Sequence, residues 1–204
     1  MSTAQAEILA VLFDADGVIQ WPTARFLERF EELGGPGFIE EAFAAETLSL
    51  TGKADLNPAL QRILDDRGIE RRVEDVHAIW YDIEVDPEAL ALVRDLRTAG
   101  VVCALATNQQ SYRGGHMQAT LGYQDAFDRT FYSFEVGLAK PDPAYFRAIV
   151  EELGIAPGQA LFFDDKQENI DGARAAGLQA LLHPWGSGAT ALREAVKARG
   201  VPGA

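Results

Sequence analysis

The sequence predicts an α/β fold: a doubly wound parallel sheet, interrupted after its first strand by an all-helical insertion. Four apolar runs, "ILAVLF" (8–13), "VVCALA" (101–106), "ALFF" (160–163) and "LQALL" (178–182), are continuous rather than alternating, which suits strands covered on both faces. From residue 86 onward helix and strand alternate, the order that right-handed β-α-β crossovers require. About seventy residues after the first run, 18–85, contain no convincing strand.

Taken in order, the first strand runs straight into "DADG" (14–17). The insertion then divides into four helical pieces, "PTARFLERFEELG" (22–34), "GFIEEAFAAETL" (37–48), "DLNPALQRILDDRG" (55–68) and "RRVEDVHAIWYD" (71–82). Phe26, Phe30 and Leu33 share a face of the first piece, and Leu60, Ile63 and Leu64 a face of the third. "DPEALALVRDLRTAG" (86–100) carries Pro87 just inside its start and Gly100 just past its end, the usual punctuation of a helix. After the second strand a weaker run, "RTFYSF" (129–134), reads as a further strand. "PDPAYFRAIVEELGI" (141–155) has Asp142 as N-cap, Pro143 in the first turn and Gly154 as its stop. "KQENIDGARAAG" (166–177) is the next helix, and a loop after Pro184 leads to a last one, "GATALREAVKARG" (188–200).

Composition narrows the partners. The 204 residues suffice for a sizeable core, and 18 Lys plus Arg against 31 Asp plus Glu leave a formal charge of −13. Such a surface repels nucleic acid and anionic membranes, so an anionic ligand needs a strong local positive site. Cys103 is the only cysteine, which excludes an internal disulfide, and no run reaches the ~18 apolar residues of a membrane span. The N-terminal "MSTAQAEILAVLFD" has no basic leader, and a cytoplasmic protein is expected. Nothing in the sequence reports the oligomeric state.

In an open parallel sheet, ligands bind beyond the carboxyl ends of the strands. The residues found there are Asp14 and Asp16 after the first strand, Thr107 and Asn108 after the second, Lys140 after the weak strand, and Asp164 and Asp165 after the third run. Singly, each could cap a helix or face solvent. Together, four acids around one crevice would repel one another unless a cation intervened, and hard oxygen ligands from separate loops are what Mg²⁺ takes.

"VLFDADGV", "ALATNQ", "GLAKPDPAYF" and "LFFDDKQENIDGARAAG" resemble, in order, the four motifs of the haloacid dehalogenase superfamily, most of whose members are phosphatases. The resemblance implies a Rossmann-like core of residues 1–17 plus 86–204, and a helical cap of type one at 18–85. Asp14 is then the nucleophile that forms an aspartyl-phosphate, and Asp16 the acid and base. Thr107 and the amide of Asn108 hold a phosphoryl oxygen, and Lys140 neutralises the charge. Mg²⁺ is expected on the Asp14 carboxylate, the Asp16 carbonyl and Asp165, with Asp164 close behind. Asn169 stands where many relatives carry a further acid, which leaves one charge fewer near the metal.

Asp16 argues against dehalogenation, because no leaving alkoxide then needs a proton. A phosphatase acting on a small phosphorylated molecule is therefore the expectation. The alternatives are a sugar phosphomutase of the beta-phosphoglucomutase type and a non-catalytic phosphate-binding or regulatory member. A response-regulator receiver also groups acids, a hydroxyl and a lysine, but brings its acidic pair first and has no large helical insert. In the cap, "LTGKAD" (50–55) resembles a loop that reaches into the site, which makes Lys53 a candidate substrate contact. Trp21 and Trp80 read as hinge packing, Arg25 as solvated and Cys103 as core, while His77, His116 and His183 share no metal-ligand spacing.

Overall fold

A computed structural model describes residues 6–204; residues 1–5, at the start of the expected core segment, lie outside the described residues. Strand β1 (Ala10–Phe13) is buried along its whole length and delivers Asp14 to the sheet edge. The chain then makes a short strand β2 (Gln20–Pro22), four helices, α1 (Phe26–Gly34), α2 (Phe38–Thr47), α3 (Asn57–Asp66) and α4 (Val73–Trp80), and a second short strand β3 (Ile83–Val85). β2 and β3 pair antiparallel, Gln20 opposite Val85 and Pro22 opposite Ile83. This corrects the expectation that residues 18–85 lack strands. Three-residue segments are too short to display a period, and their pairing joins chain positions some sixty residues apart.

The four helices have a core of their own, built on the faces the sequence marks. Phe26, Phe30, Leu60 and Leu64 are buried, with Leu33 and Ile63 packed at the edge. Phe30 meets Phe26 and Trp80 edge-on, at 5.0 and 5.5 Å between ring centroids. Such pairs add about 0.5–1.5 kcal/mol to the burial of the rings themselves.

The remainder is α5 (Pro87–Thr98), β4 (Val102–Thr107), α6 (Ser111–Thr120), α7 (Tyr123–Ala126), β5 (Arg129–Tyr132), α8 (Ser133–Val136), α9 (Pro143–Leu153), β6 (Ala160–Asp164), α10 (Gln167–Ala175), β7 (Gln179–Leu182) and α11 (Gly188–Lys197). Asp86 caps α5 by accepting from the amides of Glu88 and Ala89, and Asp142 caps α9 through Ala144. The weak run at 129–134 is a strand only to Tyr132. Ser133 opens a one-turn helix that Gly137 ends in the left-handed region at φ 76°.

The five long-range strands form one parallel sheet in the order β5-β4-β1-β6-β7, with β1 in the middle. Alternate residues serve opposite layers. Val11, Phe13, Cys103, Leu105, Leu161 and Phe163 pack on Leu92, Leu96, Leu192 and Val196 of α5 and α11. Leu12, Ala104, Ala106 and Phe162 face Phe146, Ile149, Ile170 and Ala173 of α9 and α10. Each large side chain so buried contributes about 1.5–3 kcal/mol. The continuous apolar runs thus arise from two-sided burial. No described helix is long and apolar enough to cross a membrane.

Candidate active site

Because neighbouring strands run parallel and in register, Phe13, Leu105 and Phe163 lie side by side, and the residues that follow them converge at one edge of the sheet. Lys140, almost fully buried, sits between two carboxylates: its Nζ is 2.7 Å from Asp14 Oδ1 and 2.7 Å from Asp164 Oδ2. Asn108 holds the lysine's backbone from both sides, its Nδ2 donating to Lys140 O at 2.8 Å and its Oδ1 accepting from Lys140 N at 2.9 Å. Gly172 of α10 packs on the next residue so closely that a Cβ there would lie 2.0 Å from Pro141 O.

Asp164 is wholly buried. Besides Lys140 it accepts from both Asn169 Nδ2 and the Lys166 amide, at 2.8–3.0 Å. Asn169 therefore supplies a donor that a carboxylate in its place would lack. Burial pushes the Asp14 carboxyl up to about 7; Lys140 pulls against this, and Asp164 and Asp16 add to it. Burial works against the charge of Lys140, but Asp14 and Asp164 outweigh it and raise the lysine.

Asp16 has a different neighbourhood, and it contains the residues that sequence reasoning missed. Arg113, in the first turn of α6, grips both carboxylate oxygens, Nη1 to Oδ2 at 2.6 Å and Nη2 to Oδ1 at 2.8 Å. The same guanidinium donates to Gln109 Oε1 and, through Nε, to the carbonyl of Trp80 at the end of α4. Gln20 and Gln109 each add a hydrogen bond to Asp16 at 2.9 Å. Burial alone would raise the Asp16 carboxyl, but Arg113 and these donors hold it down at about 2. The one available clue to Arg113 was its place in the helix that follows Thr107.

Thr107 is buried beside Asp14 and Lys140, where its Oγ1 accepts from Gln109 Nε2 at 3.2 Å. Gly17, at φ 84°, turns the chain away from this edge; a Cβ there would meet Asp165 and Trp185 at 2.9 Å. Oxygens of Asp14, Asp164 and Asp165 all lie within 4.8 Å of one another. Asp165 Oδ1 is buried without a hydrogen-bond partner, and burial together with Asp164 raises its carboxyl. An orphaned carboxylate oxygen among hard oxygen donors fits a divalent cation. Asp164, whose oxygens are taken by Lys140, Asn169 and Lys166, holds the lysine in place behind that site.

A cavity of about 720 Å³ opens above these residues, roofed by α1, α2 and the end of α4. Trp80 lines it from within the helical core, whereas Lys53 is exposed and stands apart from its lining. The loop that carries Lys53 is held elsewhere: Gly52 packs against the backbone of Phe134, and Asp55 accepts from the Tyr112 hydroxyl at 2.9 Å. Trp21 lies in β2, and Arg25 pairs with Glu28 and Glu32 at the surface. Cys103 is buried in the sheet, its thiol pushed up to about 12 by burial.

Residues 8–177 match the family model described as haloacid dehalogenase-like hydrolase. Phosphatase MT3486 of Mycobacterium tuberculosis is 32% identical over 195 residues, covering 86% of this chain and 87% of that protein. The phosphoserine phosphatase of Thermus thermophilus is 35% identical over 96 residues, 47% of this chain and 39% of its own length. Among solved structures, a haloacid dehalogenase family enzyme of Bacteroides thetaiotaomicron, crystallised with magnesium and inorganic phosphate, superposes with a TM-score of 0.77. It is 26% identical and covers 91% of this chain and 98% of its own.

Proposed function

The chain belongs to the haloacid dehalogenase-like hydrolase family, and from that premise we propose that this hydrolase is a Mg²⁺-dependent phosphatase of a small-molecule monoester. The observation that carries the reading is the convergence of Asp14, Lys140 and the orphaned oxygen of Asp165 at one sheet edge. The similarity to phosphatases, and to a Bacteroides enzyme crystallised with magnesium and inorganic phosphate, supports it. We read residues 18–85 as a type-one cap over a core of 1–17 plus 86–204.

In this reading Asp14 attacks phosphorus and the P–O bond to the leaving group breaks, giving an aspartyl-phosphate on Asp14. The Asp14 and Asp16 carboxylates repel, and Lys140 offsets that charge while the phosphoryl oxygens gain theirs. Thr107 and the Asn108 amide hold a phosphoryl oxygen. Asp14, the Asp16 carbonyl and Asp165 would hold Mg²⁺, which supplies charge neutralisation at the phosphoryl group and favours the ionised form of the nucleophile.

Asp16 has two tasks. Held at about 2 by Arg113, it is a carboxylate suited to take the proton of the water that hydrolyses the aspartyl-phosphate. Protonating the leaving oxygen in the first half-reaction requires it to carry a proton, and therefore to leave the guanidinium. Arg113 also holds the Trp80 carbonyl, so a shift of the helical segment and the release of Asp16 share one residue.

The test is phosphate release from acetyl phosphate and p-nitrophenyl phosphate with Mg²⁺, beside Asp14→Asn. Release is expected from the native chain and a loss of at least about 10³-fold in the variant, the scale on which removing a nucleophile acts. Turnover that survives Asp14→Asn overturns the assignment. Interconversion of sugar phosphates after bisphosphate priming, without net release, would overturn hydrolysis in favour of a mutase.

A further inference from the structure

The cavity above Asp14 is roofed by side chains that the proposed chemistry does not use. From the helical segment, Phe26, Leu27, Ile39, Phe43, Leu50 and Trp80 line it. Phe43 is 41% exposed and Leu27 68%, and across the mouth Trp185 is 55% exposed. Large apolar side chains left in water around one opening mark a surface shaped for an apolar ligand. Polar groups on the same wall are few: Thr23, Thr47, Glu46 and the indole N–H of Trp80, with Thr23 Oγ1 and Trp80 Nε1 buried without a hydrogen-bond partner.

The cations that line the cavity, Lys140, Arg113 and Lys166, all belong to the sheet edge, and two of them are committed to Asp14, Asp164 and Asp16. None comes from the four helices. Arg25, on the same side, is exposed and pairs with Glu28 and Glu32, and Lys53 stands outside. A leaving group bearing a carboxylate or a second phosphate finds no counter-ion on the roof. A sugar would leave most of its hydroxyls against Phe26, Ile39, Leu50 and Trp80, where lost hydration is not replaced.

We infer that the leaving group is an uncharged alcohol with a predominantly apolar body, aliphatic or aromatic, held between α1, α2 and Trp185. The cavity of about 720 Å³ is in the range of pockets that enclose whole small molecules. Such an alcohol would cover Leu27, Phe43 and Trp185, and its phosphate would meet Lys140 and Thr107 below. This rests on the phosphatase reading and names the substrate class for that same site.

The test is kcat/KM for ethyl, butyl, hexyl and octyl phosphate below micellar concentrations, beside acetyl phosphate, glucose 6-phosphate and 3-phosphoglycerate, all with Mg²⁺. Expected is a rise of roughly three- to fourfold per added methylene while the chain stays under the roof, the fold-change that burying a CH₂ implies. Octyl phosphate should exceed the sugar phosphate and the phosphoglycerate by at least about a hundredfold. In Leu27→Ser and Phe43→Ser the ratio of octyl to ethyl kcat/KM should fall by about tenfold. Because that ratio is taken within each variant, it is independent of how much of the protein is folded.

Release that is flat along the alkyl series, or fastest for glucose 6-phosphate or 3-phosphoglycerate, overturns the inference and leaves the phosphatase reading standing. An octyl-to-ethyl ratio unmoved by both serine variants also overturns it. No release from any compound, acetyl phosphate included, overturns the phosphatase reading and this inference with it.

Discussion

Replacing Arg113 by methionine keeps the length of the side chain and removes the guanidinium that grips Asp16. The effect has a part that depends on pH and a part that does not. Arg113 holds the Asp16 carboxyl at about 2, below the ordinary carboxylate value near 4, a depression that corresponds to about 2–3 kcal/mol. The Asp16 side chain is 35% exposed, so solvent screening reduces this to about 1–1.5 kcal/mol. The carbonyl of Trp80 and the side-chain oxygen of Gln109 also lose donors, at about 1 kcal/mol each. A total of about 3–3.5 kcal/mol near pH 6 follows.

The sign follows from the depressed carboxyl: its contribution is fully present above the unfolded value near 4 and disappears as pH falls through about 2. Urea unfolding of both proteins between pH 6 and pH 3 should show the gap between them narrowing, with roughly half of the pH-dependent part gone at pH 3. A gap constant over that range, or a variant as stable as the parent at pH 6, would refute the assignment of Arg113 as the group that holds Asp16 ionised.

Two further perturbations address the other side of the site. In Gly172→Ala a methyl group would lie 2.0 Å from Pro141 O, so backbone must move; we expect a loss of about 1–3 kcal/mol in urea and at least a tenfold fall in phosphate release, because Lys140 precedes that proline. An unchanged urea midpoint would show that the contact between α10 and this loop is not tight. Millimolar Mg²⁺ at about 100 times its dissociation constant should stabilise the native chain by ~2.7 kcal/mol, or ~5–10 °C in Tm. Asp165→Asn should abolish most of that shift, and an equal shift in the variant would place the cation elsewhere.

The sheet and the acid cluster were readable because both rest on local pattern. Val11, Cys103 and Leu161 sit in runs whose apolar continuity comes from two-sided burial; Asp14 and Asp165 directly follow strands and Thr107 ends one, while Lys140 lies past β5 beyond the one-turn α8. Arg113 was not readable. Its function depends on a carboxylate 97 residues away and on the rotation of α6, and an arginine in a helix is ordinarily solvated. The strands β2 and β3 were missed for the same reason, since the partner that makes each a strand lies at the other end of the insertion. Lys53 stands apart from the cavity lining, and Gly52 and Asp55 fasten its loop to Phe134 and Tyr112. The apolar roof was hidden because Phe43 and Leu27 belong to helices whose other apolar residues serve an internal core.

The pairing of β2 with β3 sets Gln20 beside Val85, so the chain leaves and rejoins the sheet-bearing part through two adjacent strands. What lies between them is, topologically, a cassette on a zipped stem. Loop-closure entropy grows only with the logarithm of loop length, about 0.6 kcal/mol per doubling, and a stem already closed confines even that cost to the cassette. Helices could be lengthened, shortened or exchanged above the stem while Asp14, Lys140 and Asp165 keep their spacing. Changes above the stem can therefore reshape the roof without moving the residues beneath it.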